Sequence, residues 1–382
     1  MKKEIYITAL HLAHGGVEMA ISLMSNAFIK KGYSVTILSL YHLGAPAYPI
    51  SPQVKIEYLT DVKPNKKEFK EAIKSKNPFR ILKEGFYAVK VLRLKKTALV
   101  KRIKEIREGI IISTRNEHSV LLSKFGRDGV LKIAQLHHDH GFEQKLLADI
   151  KKRYGRIDTF TLLTDQLTTE VQKLLEGTGS RTRCITMENF LEECEFPIDF
   201  EKKEKTVVAV GRLHPVKGFD RLLEIWKGSS KDHPDWKLVI IGDGDEKQKL
   251  FGLADSLGIR DSVVFTGALP HDKVMEVMQR SSLYAMTSYS EGFGFVLIEA
   301  MACGLPPVAF DVRVGPRAII QDGLNGKLIE DDATASYVKA LNELMDREDL
   351  RLEFSRNAVL RAKDFSEETV MQKWIAVLEQ KV

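Results

Sequence analysis

Apolar residues in the first half of the chain alternate between short continuous runs and the spacing of a helix face. Residues 4–9 form a short apolar run that predicts a buried strand. Apolar residues then recur at intervals of three and four up to Gly32, which predicts a helix that ends at this glycine. Further strands are predicted over residues 34–40, 109–114, 130–137, 159–163 and 182–186. Strands that alternate with helices over short links indicate a parallel sheet covered on both faces.

The same alternation stops at an irregular segment and then begins again. Residues 188–205 are acidic and contain Pro197, which is typical of a linker between domains. The 382 residues are therefore expected to form two similar α/β domains, over residues 1–187 and 206–365, and a helix over 366–382 that crosses back to the first domain. The strands of the second half are predicted over residues 206–210, 237–241, 262–265, 283–286 and 307–310, and its last helices over 334–345, 350–362 and 367–380.

The net charge of +6 is spread unevenly along the chain. Residues 63–107 contain 16 Lys/Arg against 4 Asp/Glu, so the remainder of the chain is acidic. A single basic segment indicates a local anionic surface rather than nucleic acid. Helical spacing in this insertion puts apolar groups on one side and charge on the other, as in helices that lie on anionic membranes. The alternative is that these helices pack on the first domain and expose their lysines to solvent.

The cysteines and the hydrophobic stretches indicate a protein of the cytoplasm. Three cysteines, Cys184, Cys194 and Cys303, are odd in number and have no metal-ligand spacing, which favours a reducing compartment. The N-terminal residues resemble no signal peptide. The longest weakly charged stretch, residues 293–310, contains a glutamate, a glycine and two prolines that a membrane-spanning helix would not tolerate.

A pair of glycines, Gly15 and Gly16, lies between the first strand and the first helix. Glycine lets the backbone approach a ligand closely, and the helix N-terminus that follows offers free N–H groups to a phosphate. The segment lacks the full G-x-G-x-x-G spacing, which disfavours a dinucleotide site. A plain tight turn is the alternative.

Two cations, Arg212 and Lys217, follow the first strand of the second half. Parallel α/β sheets bind ligands at this end of their strands. Arginine binds a phosphate with two hydrogen bonds and lysine acts as a point charge, so the pair suits a diphosphate. The alternative is two solvated surface cations.

Two carboxylates, Glu291 and Glu299, stand eight positions apart around a loop and the start of an apolar helix. Glu299 lies in a run of apolar residues, where a solvated position is implausible. A carboxylate near a helix N-terminal turn is stabilised and accepts hydrogen bonds from hydroxyls, as a ribose or a hexose supplies. A helix-capping role accounts for one of the two glutamates but not for both. The loop between them contains Gly292, Phe293, Gly294 and Phe295.

Two further patterns imitate metal sites. Residues 137–140 contain three histidines and an aspartate, but neighbouring side chains in an extended segment point apart. A single histidine that binds a sugar is the favoured interpretation, and metal is the alternative.

Asp243-Gly244-Asp245 imitates the D-x-D motif of metal-dependent glycosyltransferases. Its place between a strand and a helix favours a turn in which the aspartates cap the helix.

Together these motifs resemble the retaining glycosyltransferases of family 4, and the resemblance covers nearly the whole chain. Its most specific part is the E-x7-E element from Glu291 to Glu299. The resemblance implies the GT-B fold, in which two Rossmann-like domains with parallel sheets face each other across a cleft, the first on the acceptor side and the second on the donor side. The other matching segments are residues 210–213, 217–218, 242–244, 264–267 and 322–326.

The resemblance also implies roles for individual residues. Arg212 and Lys217 would hold the donor diphosphate, Glu299 the ribose and Glu291 the transferred sugar. Backbone groups of residues 292–295 would contact the sugar and phosphate, and Gly15 and Gly16 would face the diphosphate. The active-site histidine of the family corresponds to His137, or to His138 if the alignment slides by one residue. His137, Glu291, Arg212 and Lys217 are thus the candidate catalytic residues.

The implied activity is metal-independent transfer of a hexose or N-acetylhexosamine from a nucleotide-sugar, expected to be a UDP-sugar, without a cofactor. The acceptor would be a glycan or a lipid-linked molecule in bacterial cell-surface polysaccharide biosynthesis, because residues 310–316 resemble such members. The enzyme would be peripheral at the inner face of the cell membrane. Two alternatives stay open, a nucleotide-sugar epimerase of the same fold and a non-catalytic partner protein.

Overall fold

The computed structural model of the protein describes residues 2–192, 198–200 and 202–379. The chain forms two compact units. Unit 1 contains the chain up to Met187 and from Lys373 onward, and unit 2 contains Glu188–Gln372. Two residues to which the sequence analysis refers, Cys194 and Pro197, lie outside the described residues. Cys184 is a free thiol and is partly buried.

Within the described residues, unit 1 holds a seven-stranded parallel sheet in the order β3-β2-β1-β4-β5-β6-β7. Its central strands are buried apolar runs, and every residue of β2, β4 and β5 is buried. The strands are β1 (Ile5–Ala9), β2 (Val35–Tyr41), β3 (Lys55–Thr60), β4 (Gly109–Ser113), β5 (Val130–Leu136), β6 (Thr159–Leu162) and β7 (Arg183–Thr186). The helices are α1 (Gly16–Lys30), α2 (Lys66–Lys74), α3 (Pro78–Glu105), α4 (Asn116–Phe125), α5 (Gln144–Arg153) and α6 (Asp165–Leu175).

The described part of unit 2 holds a six-stranded parallel sheet in the order β10-β9-β8-β11-β12-β13. Its core packs around large buried side chains such as Trp226, Phe310 and Tyr337. The strands are β8 (Thr206–Val210), β9 (Lys237–Ile241), β10 (Val263–Gly267), β11 (Leu283–Met286), β12 (Pro307–Asp311) and β13 (Lys327–Glu330). The helices are α7 (Phe219–Ser230), α8 (Lys247–Ser256), α9 (His271–Arg280), α10 (Phe295–Ala302), α11 (Pro316–Ile319), α12 (Thr334–Asp346), α13 (Glu348–Ala362) and α14 (Glu367–Leu378).

The end of α14 belongs to unit 1. The unit boundary falls between Gln372 and Lys373, inside this helix. Trp374 is buried and its ring meets the ring of Phe28 on α1 edge-on, with centroids 5.6 Å apart. Burial of two large aromatic rings attaches the C-terminal turns of α14 to the core of unit 1.

Two strands, β3 and β13, were not predicted, and both lie at an edge of their sheet. An edge strand is covered incompletely, so its residues need not form a continuous apolar run. The β3 sequence Lys-Ile-Glu-Tyr-Leu-Thr has no buried residue and alternates charged with apolar positions. The four residues of β13 are likewise partly or fully exposed. Edge strands of this kind leave no continuous apolar run in the sequence, so the predicted strands omit them.

The basic segment forms α2 and α3 as predicted, and its apolar residues are partly buried and partly exposed. One side of α3 packs on the body of unit 1 through Val91, Leu99 and Ile103, which are buried. Four other apolar residues, spaced three, four and three positions apart, form a second stripe that is exposed. This exposed stripe consists of Phe79, Leu82, Phe86 and Val89, with exposed fractions of 84%, 60%, 69% and 53%. No helix of the described chain is long and apolar enough to span a bilayer.

Candidate functional site

Lys217 and Glu291, two of the predicted site residues, form an ion pair in unit 2. Their strands β8 and β11 are neighbours in the sheet, so the loops that follow both strands emerge side by side. Lys217 Nζ lies 2.6 Å from Glu291 Oε1, and Ser288 Oγ donates to the same carboxylate oxygen over 2.5 Å. Only 9% of the Glu291 side chain is exposed. A carboxylate with so little water around it gains strongly from a paired cation.

The two loops that hold this ion pair are also joined through their backbones. The amide of Tyr289 donates to the carbonyl of Val216, and Thr287 Oγ1 donates to the carbonyl of Gly218. Gly218 has a φ of 62°, and a Cβ at this position would lie 2.0 Å from the Thr287 carbonyl oxygen. Only glycine fits such a left-handed backbone beside another chain segment. Lys217 is therefore held at a fixed place beside Glu291.

Arg212 lies in the same loop as Lys217, and its side chain is exposed. Its guanidinium is thus open to a ligand at the carboxyl end of β8. The Asp243-Gly244-Asp245 turn supports this loop, because the Leu213 amide donates to the Asp243 carbonyl over 3.0 Å. A Cβ at Gly242 would lie 1.9 Å from the carbonyl oxygen of Gly211.

The prediction that the aspartates of this turn cap the next helix is wrong. The helix α8 begins at Lys247, and Glu246 at its N-cap makes no side-chain capping bond. Asp243 accepts instead from the amide of the adjacent Gly244 over 2.8 Å. The turn is one residue too long for Asp245 to occupy the cap. Among the described residues, no group of three His, Cys, Asp or Glu side chains could hold a metal ion.

Glu299 is buried within α10 and pairs with a histidine that the sequence analysis missed. It is the fifth residue of the helix and directly follows its N-terminal turn, near which it was expected. His271 Nε2, at the start of α9, donates to Glu299 Oε1 over 2.9 Å. This hydrogen bond to a carboxylate raises the pKa of His271 above its ordinary value of 6.5. No sequence pattern signals the pair, because the two residues meet only through the packing of separate helices.

The titration of His271 predicts a pH-dependent contribution to stability. The pKa of His271 is higher in the folded protein than in the unfolded chain, so its protonation stabilises the fold. This contribution is fully present below about pH 6.5 and is lost as the pH rises through the raised pKa. His271→Gln keeps a hydrogen-bond donor but does not titrate. The melting temperature of the wild type should therefore exceed that of the variant by more at pH 6 than at pH 9. Because 55% of the His271 side chain is exposed, we expect a difference of at most about 2 °C.

Scanning calorimetry at the two pH values tests this expectation. The exposed histidine His42, replaced in the same way by glutamine, provides a matched control. A pH-independent difference between the wild type and His271→Gln would show that the ion pair with Glu299 contributes nothing.

The loop before α10 leaves the amino end of that helix without a side-chain cap and partly accessible. Gly294 is the N-cap with a φ of 106°, and no side chain caps the first turn. The first amides of a helix have no partners inside the helix and carry a partial positive charge. Phe293 anchors the loop, since its buried ring packs edge-on against Phe365 with centroids 5.6 Å apart. Gly292 and Phe295 flank these residues and are half-buried.

In unit 1, Gly15 and Gly16 lie at the start of α1, which begins at Gly16 without a side-chain cap. Glu18, in the first turn, is buried, and its carboxylate lies so near Gly15 that a Cβ there would be 2.1 Å from Glu18 Oε2. Arg115 Nη2 donates to Glu18 Oε1 over 2.9 Å. The carboxylate of Glu18 therefore already interacts with the positive end of this helix, and Arg115 offsets its charge.

His137 follows β5 and is uncharged at neutral pH. Burial lowers its pKa to about 3. Its Nδ1 atom is buried without a hydrogen-bond partner among the described residues, and its Nε2 lies 3.4 Å from Gln135 Oε1. His138 is exposed, whereas the buried His140 bonds Glu170 over 2.8 Å. The histidines thus have separate surroundings, and the neutral ring of His137 can exchange hydrogen bonds with a hydroxyl.

Comparisons with known proteins identify the family and the fold of the chain. The family described as "Glycosyl transferases group 1" matches residues 192–361, which include all four charged residues of the unit 2 site. The amylovoran biosynthesis glycosyltransferase AmsD of Erwinia amylovora is 30% identical over 376 residues, covering 95% of this chain and 96% of the relative. S. aureus TarM, crystallised with fondaparinux, α-GlcNAc-glycerol and UDP, superposes with a TM-score of 0.80 at 16% identity, covering 99% of this chain and 100% of that one.

A third relative covers the whole chain. It is the Campylobacter jejuni α-1,4-N-acetyl-D-galactosaminyltransferase whose name gives a GalNAc-GalNAc-diNAcBac-PP-undecaprenol substrate. It is 24% identical over 388 residues, covering 100% of this chain and 99% of the relative.

The two parallel α/β sheets have the GT-B fold. The chain belongs to the group 1 glycosyl transferases, that is, family 4. Its members retain the anomeric configuration and generally need no metal. The predicted fold class and family are thus confirmed.

Proposed function

We propose that the protein transfers a hexose or N-acetylhexosamine from a UDP-sugar to a glycan or lipid-linked acceptor in bacterial cell-surface polysaccharide biosynthesis. The observation that carries the proposal is the 2.6 Å ion pair of Lys217 and Glu291 at two adjacent strand ends, with the exposed Arg212 in the same loop. The names of two relatives support the pathway and the acceptor, since they include amylovoran biosynthesis and an undecaprenol-diphosphate-linked acceptor. Two solved structures of the same fold contain UDP, which supports UDP as the nucleotide of the donor.

The charges of the site suit the cleavage of a sugar–phosphate bond. Positive charge develops at the anomeric carbon and negative charge on the departing diphosphate. Arg212, Lys217 and the uncapped N-terminus of α10 would stabilise the diphosphate, because preorganised charges act where charge develops. Glu291 would accept hydrogen bonds from the transferred sugar, and Glu299 from the ribose. The acceptor hydroxyl would attack from the face that the diphosphate leaves, and a diphosphate oxygen would take its proton.

The proposed roles in unit 1 concern the acceptor and the diphosphate. A neutral His137 can accept from or donate to a sugar hydroxyl without adding charge. Gly15 and Gly16 would let the backbone at the start of α1 approach the diphosphate. The carboxylate of Glu18 beside this N-terminus would weaken its attraction for a phosphate.

A donor panel tests the proposal directly. Binding of UDP-, GDP- and ADP-sugars is measured by calorimetry, and the sugars that bind are then incubated with lipid-linked acceptors. We expect a UDP-sugar to bind and its sugar to appear in a retained linkage on the acceptor. A sugar that is converted without any acceptor would indicate an epimerase, and binding of none of the nucleotides would refute the proposal.

Turnover should not depend on a divalent cation. Arg212 and Lys217 supply the positive charge that a D-x-D enzyme obtains from its metal, and Asp243 is engaged by the Gly244 amide. We expect the rate in excess EDTA to stay within about twofold of the untreated rate, which is small beside the effect of losing one charged contact. Loss of turnover in EDTA that Mn²⁺ restores would contradict this mechanism.

The proposal includes a cytoplasmic enzyme held at the inner face of the cell membrane by α2 and α3. The exposed stripe of Phe79, Leu82, Phe86 and Val89 is surrounded by basic residues of the same helices. Apolar groups flanked by cations match the boundary between acyl chains and anionic headgroups. An anionic lipid surface is therefore the proposed partner of this stripe.

A further inference from the structure

Arg221, a residue of α7 outside all the predicted motifs, is buried beside the Lys217–Glu291 pair. Only 8% of it is exposed, and its guanidinium donates four hydrogen bonds. Nε donates to the carbonyl of Thr287 over 2.6 Å, and Nη2 donates to the carbonyl of Ser288 over 2.5 Å. Nη1 donates to a carboxylate oxygen of Asp331 and to one of Asp332, each over 2.8 Å.

Two aromatic rings lie against the guanidinium of Arg221. Its central carbon lies 4.0 Å from the ring centroid of Tyr289 and 4.0 Å from that of Phe310. A planar cation between two rings fits stacking and cation–π contacts that an ammonium group cannot reproduce. Asp332 has a φ of 63°, which is unfavourable for a residue with a side chain, and its bond to Arg221 helps to hold this conformation.

The groups that Arg221 binds belong to loops at the carboxyl ends of two strands, and one of these loops carries part of the site. Thr287 and Ser288 follow β11, and Asp331 and Asp332 follow β13. The same Ser288 donates its hydroxyl to Glu291 Oε1, while its carbonyl accepts from Arg221. The bonds of Thr287 and Tyr289 to residues 216–218 join this loop to the one that carries Lys217.

We propose that Arg221 is a positioning residue for the reaction, which holds Lys217 and Glu291 at their mutual distance by fixing the 287–289 segment between them. This inference rests on the proposed function of that pair. Arg221 contacts neither of the two residues itself, and its own charge is balanced by Asp331 and Asp332. Its effect on turnover would therefore pass through the geometry of the pair rather than through direct contact with the donor.

A double-mutant cycle with Lys217 separates positioning from a general loss of stability. Arg221→Lys keeps the charge but loses the planar fork, so kcat should fall at least about tenfold, as for a misplaced charge contact. In a Lys217→Ala background the same change should cost less than about twofold, because the group to be positioned is absent. Arg351→Lys is a matched control. Arg351 is a partly buried arginine of unit 2, and its guanidinium donates to the backbone carbonyls of Leu344 and Met345.

The cycle is measured on kcat and on UDP affinity, with circular dichroism and melting temperature recorded for every variant. Guanidinium at millimolar concentration should restore part of the turnover of Arg221→Ala, and methylammonium should not. If Arg221→Lys lowers turnover by the same factor with and without Lys217, the positioning role is wrong although the proposed function stands. A wild-type protein that neither binds UDP nor transfers a sugar would instead overturn the proposed function, and the role of Arg221 with it.

Discussion

Replacing Lys217 with alanine should lower kcat at least about a hundredfold, which is the scale for loss of one preorganised charge contact. The Lys217 ammonium is paired with Glu291 and is therefore already oriented. Removal of the ammonium takes away the charge proposed to stabilise the departing diphosphate. It also leaves the Glu291 carboxylate, of which 9% is exposed, with Ser288 as its remaining bonded side chain. Both changes are expected to lower kcat.

Glu291→Ala should lower kcat by a similar factor. The variant with both Lys217→Ala and Glu291→Ala should have a kcat little lower than that of either single variant. Residues that act as one unit give strongly non-additive kinetics. Lys227→Ala provides a matched control, because Lys227 is an exposed lysine of α7 in the same unit. Single-turnover measurements with a UDP-sugar and melting temperatures for each variant complete the test. Turnover within a few-fold of the wild type in folded Lys217 and Glu291 variants would refute the assignment of this site.

The sequence alone predicts the parts of the fold whose signal is local. The central strands β1, β8 and β11 are continuous apolar runs, because helices cover both faces of a parallel sheet. The edge strands β3 and β13 lack this covering and so lack the pattern. In the same way, α3 has both buried and exposed apolar residues, and spacing in the sequence does not tell which of them are buried.

In the candidate site, sequence motifs identify those residues whose neighbours in the sequence already indicate their chemistry. Lys217 and Glu291 are each recognised from a loop motif, but their direct pairing depends on the adjacency of β8 and β11. Arg221 and His271 could not be found, because their partners lie 66 and 28 residues away in the sequence. A charged residue at a regular helix position gives no sign of its burial until the neighbouring loops are known.

Reversal of three lysines on α2 should release the protein from anionic membranes. Lys66, Lys67 and Lys70 are exposed on this helix. Each cation near an anionic leaflet contributes about 1 kcal/mol, so their loss alone weakens binding by about a hundredfold, and reversal to glutamate adds repulsion. We expect the wild type to co-sediment with phosphatidylglycerol or cardiolipin vesicles but not with phosphatidylcholine vesicles. Binding should weaken as salt rises, because the Debye length contracts from about 10 Å at 0.1 M.

The exposed stripe permits a second test that does not change the charge. Phe79→Ser with Phe86→Ser removes two exposed rings, which would insert at the acyl boundary, and should lower binding at least about tenfold. If α2 and α3 only pack on unit 1, this double variant would leave vesicle binding unchanged, because the packed side of α3 consists of other residues such as Val91 and Leu99.

A matched control distinguishes a local surface from overall charge. Lys145, Lys151 and Lys152 are exposed on α5 of the same unit, so their reversal to glutamate changes the net charge by the same amount. We expect this control variant to co-sediment nearly as well as the wild type in low salt. An equal loss of vesicle binding in both triple variants would mean that net charge alone drives binding. If the wild type bound neutral and anionic vesicles equally, the cations would have no role in binding. A specific loss with the α2 variant, together with the loss from the two phenylalanines, requires a surface in which charge and apolar groups act side by side.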